Sequence, residues 1–457
     1  MLSGVLTSFR VLGKRIHLER SCRWSRAQLD AHQANELARL RRFAYERSPF
    51  YRRFHQGLEN RPLSELPILT KSEMMENFDD LVTDRSVRLR EVDEWLSNIE
   101  DKKLFRGRYL VLSTSGSTGR RGVFLFDDRE WISVLGNASR PMVWAGVIKL
   151  TKPPRMAIIA SRTPWHYSAR VTASLSNRLL ASLHLDAGEP LANMVRRLND
   201  FRPTMIGIYP SVLRQLADEQ IAGRLRIQPI AIMSAAEVLT NEVRLLARQA
   251  WGLQIYDTYG ATEYSPIAAE CSFGRRHLLE DGAIIELVDD RGRAVAPGES
   301  SDRVLLTVFG RRTQPLIRYE ISDVLRPEAG ECECGRKFRL IANIEGRLED
   351  ILVFPRRGKT GETVCLHPNL FHEILEALPA TGWQVVQNEQ GVVVNLTGLK
   401  DPMICEALTR RMQELFSIQE AEVKSIAVRS VEALQRGATG KAPLVMAQTA
   451  GRPIVKE

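Results

Sequence analysis

The segment of this 457-residue chain with the clearest chemical potential is rich in hydroxyl groups and glycine. It reads Ser113, Thr114, Ser115, Gly116, Ser117, Thr118 and Gly119, and it separates the apolar runs Tyr109 to Leu112 and Val123 to Phe126. Glycines allow backbone conformations that other residues avoid, and hydroxyl and N–H groups can surround phosphate oxygens. No Gly-Lys-Ser/Thr triplet follows, so this is not a Walker A loop. It is a candidate phosphate-binding loop, with an ordinary connector as the alternative.

Two later segments offer groups that suit a nucleotide. Tyr259-Gly260-Ala261-Thr262-Glu263 follows a predicted strand, where an aromatic ring can stack on a base and Thr262 and Glu263 can reach a phosphate and its Mg²⁺. Asp323 ends the apolar run that begins at Pro315, and its carboxylate can accept hydrogen bonds from both ribose hydroxyls. Read alone, the first segment is an ordinary strand-end turn, and Asp323 is a turn residue or a cap.

A third group of residues has the chemistry of a metal site. Cys271 and His277 lie close in sequence, and Cys332 and Cys334 flank a single residue in a glycine-punctuated turn. Three thiolates and an imidazole predict a closed tetrahedral zinc site that joins two β-rich loops, and four protein ligands leave no open position for catalysis. The spacing is not that of a standard zinc finger, so four unlinked loop residues are the alternative.

Composition limits the class of protein but does not select a partner. The formal net charge is +9, which suits a nucleic acid, a membrane surface or anionic substrates such as nucleotides and CoA. No compact basic run is interleaved with aromatic residues, which argues against nucleic acid. No apolar run approaches a membrane span, and no small-residue cleavage site follows the mildly apolar start. We therefore expect a cytoplasmic protein whose six cysteines need not pair.

The elements that must position these residues alternate between short apolar runs and helical stretches. The predicted strands are Met156 to Ala160, Met205 to Tyr209, Ile230 to Met233 and Leu253 to Tyr256. The predicted helices between them are Pro190 to Phe201, Ser211 to Ala222 and Thr240 to Trp251, the last two with Ser211 and Thr240 as N-caps. An earlier helical pattern, from about Ala27 to Phe54, predicts a helix with a structural role. The alternation predicts an α/β fold with a parallel sheet and crossover helices.

The pattern of predicted elements changes after Tyr259, where helices become scarce. Gly282 to Val288 and Arg303 to Phe309 predict antiparallel strands. A glycine- and arginine-rich loop near Gly346 to Gly361 then precedes a mixed segment whose predicted strand, helix and strand are Val392 to Leu396, Pro402 to Phe416 and Glu422 to Val428. We therefore expect a large amino-terminal domain, residues 1–348, with a β-rich subdomain, and a small α+β domain, residues 349–457.

The order and spacing of these motifs resemble the adenylate-forming enzymes, and specifically the phenylacetate-CoA ligase family. The likeness extends over nearly the whole chain. Besides the three motifs above it includes Ser48 to Tyr51, Leu66 to Lys71, Ser234 to Glu237, Glu280-Asp281, Cys332 to Arg336, Gly346 to Asp350 and Thr439 to Lys441.

The resemblance implies a role for each matching residue. Ser113 to Gly119 would hold the β- and γ-phosphates of ATP, Glu263 would ligate Mg²⁺, and Lys441 would be a mobile cation near the α-phosphate. Asp323 and Arg347 would hold the ribose and nearby oxygens. The remaining nucleotide contacts would come from Ala235, Ala236, Glu237, Asp257, Tyr259, Gly260 and Thr262. Some relatives also carry a zinc site like the one outlined above.

The resemblance further implies an AMP-forming acid ligase. It would activate a carboxylic acid as an acyl-adenylate, release pyrophosphate and pass the acyl group on, with CoA the first expectation for acceptor. A carrier protein, an amine or a hydroxyl acceptor stays open, and so does a non-catalytic nucleotide-binding homologue. His166, Tyr167 and Tyr209 follow predicted strands where relatives begin the acyl pocket, although core packing explains them equally well. Nothing in the sequence names the acid or the oligomeric state.

Three positions depart from the family pattern. Arg120-Arg121-Gly122 follows the phosphate loop where many relatives have a Pro-Lys pair, and Glu349 replaces the usual hinge aspartate. Ala235-Ala236 replaces a turn that contains glycine, which would tighten the space beside the adenine.

Overall fold

The computed structural model describes residues 2–98, 104–114, 121–146, 154–175, 181–347, 350–366, 368–375, 378, 380–399, 401, 403–436 and 442–447. Ser115 to Gly119, Arg120, Glu349 and Lys441, which the sequence analysis singled out, lie outside these ranges.

Some of the helices begin at a residue whose side chain caps them. Ser25, Thr70 and Asp127 each accept a hydrogen bond from the backbone of the first turn in a capping box. The helices are α1 Leu2–Ser21, α2 Arg26–Arg47, α3 Pro49–Phe54, α4 Lys71–Glu76, α5 Phe78–Leu81, α6 Leu89–Ser97, α7 Asp128–Ala138, α8 Arg140–Trp144, α9 Tyr167–Leu175, α10 Leu191–Phe201, α11 Pro210–Ile221, α12 Asn241–Trp251, α13 Asn369–Leu375 and α14 Met403–Ile418.

The strands are short and mostly buried. They are β1 Leu110–Ser113, β2 Val123–Phe126, β3 Met156–Ala160, β4 Ser182–Asp186, β5 Met205–Ile208, β6 Ala231–Ala235, β7 Ile255–Tyr259, β8 Ala268–Glu270, β9 Arg276–Leu278, β10 Ala283–Val288, β11 Arg303–Val308, β12 Tyr319–Ile321, β13 Asp323–Glu328, β14 Leu340–Arg347, β15 Leu352–Pro355, β16 Thr363–Leu366, β17 Gly382–Asn388, β18 Gly391–Thr397, β19 Ile426–Ser430 and β20 Val445–Met446.

A nine-stranded mixed sheet organises the molecule, in the order β13-β14-β9-β8-β7-β6-β5-β3-β4. The strands from β4 to β7 pair in parallel, and those from β7 to β13 pair antiparallel. Helices α10, α11 and α12 connect the parallel strands, and their apolar faces pack with those strands in one core. The predicted α/β fold with a parallel sheet and crossover helices is confirmed.

Two smaller sheets complete the amino-terminal part. Strands β10, β11 and β12 form the predicted antiparallel sheet, and β1 and β2 form a hairpin that flanks the hydroxyl-rich loop. Both pack into a second, larger core together with α2 to α6.

The carboxyl-terminal region is α+β, as predicted. The sheet β19-β18-β17-β20 packs with α14 and the hairpin β15-β16 around a core of its own, which includes Phe354, Trp383 and Phe416.

Three sequence predictions were wrong in detail. The single helix expected from Ala27 to Phe54 is divided at Ser48, which caps α3 because Pro49 cannot continue α2. Ser211 is not an N-cap, since α11 begins at Pro210 and its cap position is Tyr209. The strand expected from Glu422 begins only at Ile426. Among the described residues, none of the helices combines the length and apolar character needed to cross a membrane.

Candidate functional site

The site begins where two neighbouring parallel strands end. Strands β6 and β7 pair in register, with Ala235 opposite Thr258, so the segments that follow them leave the sheet at the same edge. In open α/β sheets ligands bind at the carboxyl ends of the strands, because loops diverge there. The sheet therefore brings the predicted Ala235–Glu237 and Tyr259–Glu263 segments together.

Tyr259 and Asp323 meet across the sheet. The Tyr259 hydroxyl donates a hydrogen bond to Asp323 Oδ2 at 2.5 Å, and both residues are buried. Asp323 starts β13, where it pairs in register with Arg347 at the end of β14. The three residues predicted at the adenine and ribose thus lie together. No sequence pattern indicates the hydrogen bond from Tyr259 to Asp323.

Glu263 is buried behind this pair and has a phenol as a partner. The Tyr319 hydroxyl donates to Glu263 Oε1 at 3.1 Å. Burial first, and the Glu263 charge second, raise the pKa of Tyr319 well above its usual value, so the phenol remains a donor. Tyr319 belongs to the segment before Asp323, but sequence reasoning assigned it no role.

Glu237 joins three parts of the chain. Its Oε2 accepts the Ser211 N–H at 2.9 Å, and its Oε1 accepts the Ser211 hydroxyl at 3.2 Å and the Ala442 N–H at 3.0 Å. Ala236 beside it has φ of 74°, a left-handed conformation that favours glycine and costs an alanine about 1 kcal/mol. The residue that follows Lys441 therefore contacts the segment that leaves the sheet after β6.

The base of the hydroxyl-rich loop is closed by backbone hydrogen bonds. The Thr114 N–H donates to the Gly122 carbonyl at 2.9 Å, and the Gly122 N–H donates to Thr114 Oγ1 at 2.8 Å. The Ser113 N–H donates to the Trp165 carbonyl at 3.0 Å, which ties the loop to the segment before α9. Because of these bonds, the loop leaves and rejoins the hairpin at one point near the predicted acyl pocket.

Each of the predicted acyl-pocket residues is hydrogen-bonded to a nearby segment. His166 Nδ1 lies 3.0 Å from Ser168 Oγ, and the Tyr209 hydroxyl accepts the Ser161 N–H at 3.1 Å. Tyr167 donates to the Ser265 carbonyl at 3.3 Å, and burial raises the pKa of this phenol to about 12. The bond between Ser161 and Tyr209 joins the segments that follow the adjacent parallel strands β3 and β5, and His166 and Tyr167 come a few residues after Ser161.

Asp257 differs from the other predicted nucleotide residues because its carboxylate is held in a buried ion-pair network. Arg276 contacts Asp257 Oδ2 at 2.8 Å and Glu270 Oε1 at 3.1 Å. Glu270 also accepts Arg244 at 2.6 Å, and burial raises its pKa. These contacts support the sheet.

The four predicted metal ligands come together where the antiparallel half of the sheet meets the Cys332–Cys334 turn. One ligand atom from each of Cys271, His277, Cys332 and Cys334 lies within 4.8 Å of all the others. The Cys271 and Cys332 sulfurs are 3.6 Å apart, and the Cys334 sulfur is 3.2 Å from His277 Nε2. A tetrahedron with metal–sulfur bonds of about 2.3 Å has edges of about 3.8 Å, so the arrangement fits a zinc ion.

The orientation of His277 supports that fit. Its Nδ1 lies 3.3 Å from the Phe338 carbonyl, so Nε2 faces the cysteines. Ligating histidines commonly donate their second nitrogen to a backbone carbonyl in this way.

A cavity of about 340 Å³, lined in part by Glu263, was not anticipated from the sequence. Helices α1 and α7 form part of its wall, and Arg311 forms another. The Arg311 guanidinium is buried over the Phe126 ring at 3.9 Å, and its Nε and one terminal nitrogen lack a hydrogen-bond partner within the described part of the chain. No periodicity or motif marks such a cavity, because the segments that line it are far apart in sequence.

Known proteins resemble this chain in sequence over most of its length. No family model matches it. Curated relatives include a phenylacetate-coenzyme A ligase of Thermus thermophilus, 24% identical over 80% of each chain, and one of Aromatoleum evansii, 23% identical over 92% of this chain and 95% of the relative. Protein CapK of Staphylococcus aureus is 23% identical over 65% of this chain and 61% of its own length.

Solved structures share the fold at lower identity. A 2-hydroxyisobutyryl-CoA ligase in the postadenylation state, in complex with R3-HIB-AMP, matches with a TM-score of 0.72 and 19% identity over 94% of this chain and 92% of its own. An anthranilate CoA ligase in complex with anthranoyl-AMP matches with a TM-score of 0.52 and 18% identity over 73% and 64% of the two chains. Together with the motif order and the geometry of the sheet edge, these comparisons show that the chain is similar in sequence to phenylacetate-CoA ligases and shares the fold of CoA ligases solved with an acyl-adenylate.

Proposed function

We propose that this protein activates a carboxylic acid with ATP, releases pyrophosphate, and then transfers the acyl group from the adenylate to CoA. One observation carries the proposal. The carboxyl ends of β6 and β7 bring together Glu237, Tyr259 and Glu263, and the chain next to Lys441 reaches the same edge through Ala442. Relatives named as CoA ligases, one of them solved with an acyl-AMP, support this chemistry.

The nucleotide would lie along this edge of the sheet. Tyr259 would border the adenine, and Asp323, which the Tyr259 hydroxyl holds in place, would accept the ribose hydroxyls. The loop from Ser113 to Gly119 would hold the β- and γ-phosphates. Glu263, with Thr262 before it, would hold the Mg²⁺ that neutralises phosphate charge.

The first step needs charge neutralisation more than a base, because the attacking carboxylate is already ionised. One carboxylate oxygen of the acid attacks the α-phosphorus, the bond from that phosphorus to the bridging oxygen of the β-phosphate breaks, and pyrophosphate leaves with the electron pair. Lys441 would offset the negative charge that develops between the two anions. Arg347, beside Asp323 in the strand register, would assist near the ribose.

The second step would reuse the same site after the small domain moves. The CoA sulfur attacks the acyl carbon, the bond to the phosphate oxygen breaks, and AMP leaves. We propose that residues 349–457 form the moving domain, with residues 1–348 as the body. The separate core that includes Phe354, Trp383 and Phe416 supports this division, because a region with its own core can move as a unit.

The acid would enter between α9 and the end of β5. His166 would orient its carboxylate, and Tyr167 and Tyr209 would form walls of the pocket. We also propose that Cys271, His277, Cys332 and Cys334 hold a structural zinc ion, which would pin the β8–β9 loop to the turn before β14.

The test is a panel of aryl, fatty and amino acids with ATP and hydroxylamine, in which hydroxamate reports the activated acyl group, followed by CoA in place of hydroxylamine. We expect Lys441→Ala to lower acid-dependent pyrophosphate release by about a thousandfold with ATP binding retained, because the cation acts mainly on the transition state. Lys424→Ala in the same region is the matched control and should leave the rate unchanged. The absence of hydroxamate from every acid, or an active Lys441→Ala variant, would contradict the proposal.

A further inference from the structure

Helix α1 carries apolar side chains on two opposite faces. Val11 and Leu18 are buried against the body of the protein. On the same face the Lys14 side chain packs against Gly136 of α7, where an added Cβ atom would lie 2.7 Å from Lys14 Cγ. Arg10 forms an ion pair of 2.6 Å with Asp128 at the start of α7. This face anchors the helix.

The opposite face of α1 is apolar and open to solvent. Leu6, Phe9, Leu12 and Ile16 are 61%, 66%, 40% and 51% exposed. Their spacing of three and four residues places them along one side of the helix, about half a turn from Val11 and Leu18. Elsewhere in the described residues the large exposed apolar side chains are scattered, as Leu245 and Ile418 are. A surface helix normally keeps a single apolar stripe, and a second one marks an interaction surface.

Cations border this apolar strip, which we define as Leu6, Phe9, Leu12 and Ile16. Arg15 lies on one flank of the helix, and Arg20 and Arg23 are exposed just beyond its last member. Helix α1 contains three arginines and one lysine against a single glutamate, and the whole chain has a net charge of +9. This combination, an apolar face edged by cations, is what a helix lying in the headgroup region of an anionic bilayer requires.

We propose that α1 docks this protein peripherally on an anionic membrane surface, with the apolar strip inserted and Arg15, Arg20 and Arg23 against lipid phosphates. The proposal is independent of the catalytic function. Charge favours lipid over a second copy of this chain, since two copies joined through this strip would bring like charges around a shared seam. Insertion of one face explains why a helix already anchored on its other face still exposes four large apolar side chains.

The test is cosedimentation of the full chain with phosphatidylglycerol-containing vesicles and with pure phosphatidylcholine vesicles. We expect partitioning onto the anionic vesicles to be at least about tenfold stronger and to weaken as salt increases. The double variant Leu6→Ser and Phe9→Ser should lose about tenfold or more, because it removes the inserted side chains. Arg15→Gln and Arg20→Gln should each lose roughly fivefold on anionic vesicles alone.

Leu245→Ser and Ile418→Ser are the matched controls, because both side chains are as exposed as those of the strip but lie on other helices. Both controls should bind like the wild type. Equal partitioning onto both vesicle types, no partitioning, or equal losses in controls and strip variants would overturn the proposal. Concentration-dependent self-association abolished by Leu6→Ser and Phe9→Ser, without vesicle binding, would instead assign the strip to a second copy. Unchanged melting temperatures and unchanged activity without vesicles verify that the variants fold.

Discussion

The two halves of the nine-stranded sheet use the same backbone framework for different purposes. In the parallel half, strands β6 and β7 end side by side, and their following segments present Glu237, Tyr259 and Glu263 at one edge. In the antiparallel half, strands double back, and the connections around β8 and β9 bring Cys271 and His277 to the Cys332–Cys334 turn. The carboxyl ends of parallel strands lie at the same edge of a sheet, which we call the open edge. Antiparallel strands are joined by short connections, and here those connections meet at the four potential metal ligands, which we call the closed corner.

This difference predicts that residues for catalysis lie in the parallel half of the sheet and that residues for stability lie in the antiparallel half. The open edge presents the residues predicted to bind a nucleotide, and the closed corner holds four potential metal ligands, three of them buried. Substitutions in the parallel half should therefore reduce activity with little effect on folding, and substitutions in the metal corner should do the reverse.

Glu263→Gln should give the largest effect after Lys441→Ala, with a fall of about a thousandfold in kcat/KM for adenylation and little change in the melting temperature. The amide keeps the hydrogen bond from Tyr319 but removes the charge that would hold Mg²⁺. Pyrophosphate release measured across a magnesium titration tests this. The exposed Glu299→Gln is the control, and a magnesium dependence identical to that of the wild type would count against Glu263 as a ligand.

Cys332→Ser should break the closed corner, lowering the free energy of unfolding by about 3 kcal/mol while KM for ATP stays the same. Chelator should lower the melting temperature of the wild type but not of the variant, and metal analysis should find about one zinc per chain only in the wild type. Cys405→Ser, in α14 away from the cluster, is the matched control and should change stability by less than about 1 kcal/mol. A wild type that contains no metal and is unaffected by chelator would remove the zinc proposal.

Tyr259→Phe should give the smallest effect, a rise of about fivefold to tenfold in KM for ATP, because it deletes one hydrogen bond to the residue that would hold the ribose. Tyr256→Phe, in the same strand, serves as the control. Initial rates against ATP concentration separate the two variants. An unchanged KM in Tyr259→Phe would mean that Asp323 needs no help to bind the nucleotide.

Local patterns predicted the elements well. The run from Met156 to Ala160 gave its strand with the observed bounds, since a continuous apolar run between helices is typical of a buried parallel strand. Thr240 caps α12 as expected, with its side chain accepting the Val243 N–H. Ser211 has the same chemistry but bonds to Glu237 instead, and no local pattern distinguishes the two cases.

The parts of the site that the sequence could not provide depend on contacts between distant segments. Two hydrogen bonds join segments that are well separated along the chain, one from Tyr319 to Glu263 and one from Tyr259 to Asp323. The cavity beside Glu263 is likewise lined by distant segments, among them the one that contains Arg311. Periodicity determines which face of an element is buried, but the register between remote elements comes from packing. The cysteines and His277 were predictable because donor chemistry itself limits the partners they can have.

The carboxylate of Glu237 connects the body of the protein to the segment that follows Lys441. Ser211 contributes two hydrogen bonds to it and Ala442 contributes one, so the anion would still be held by the start of α11 if the Ala442 bond broke. The bond from Ala442 is itself worth about 1 kcal/mol, an amount that thermal motion supplies readily. If residues 349–457 move as we propose, this bond would align the segment after Lys441 when it arrives and would break readily when it leaves.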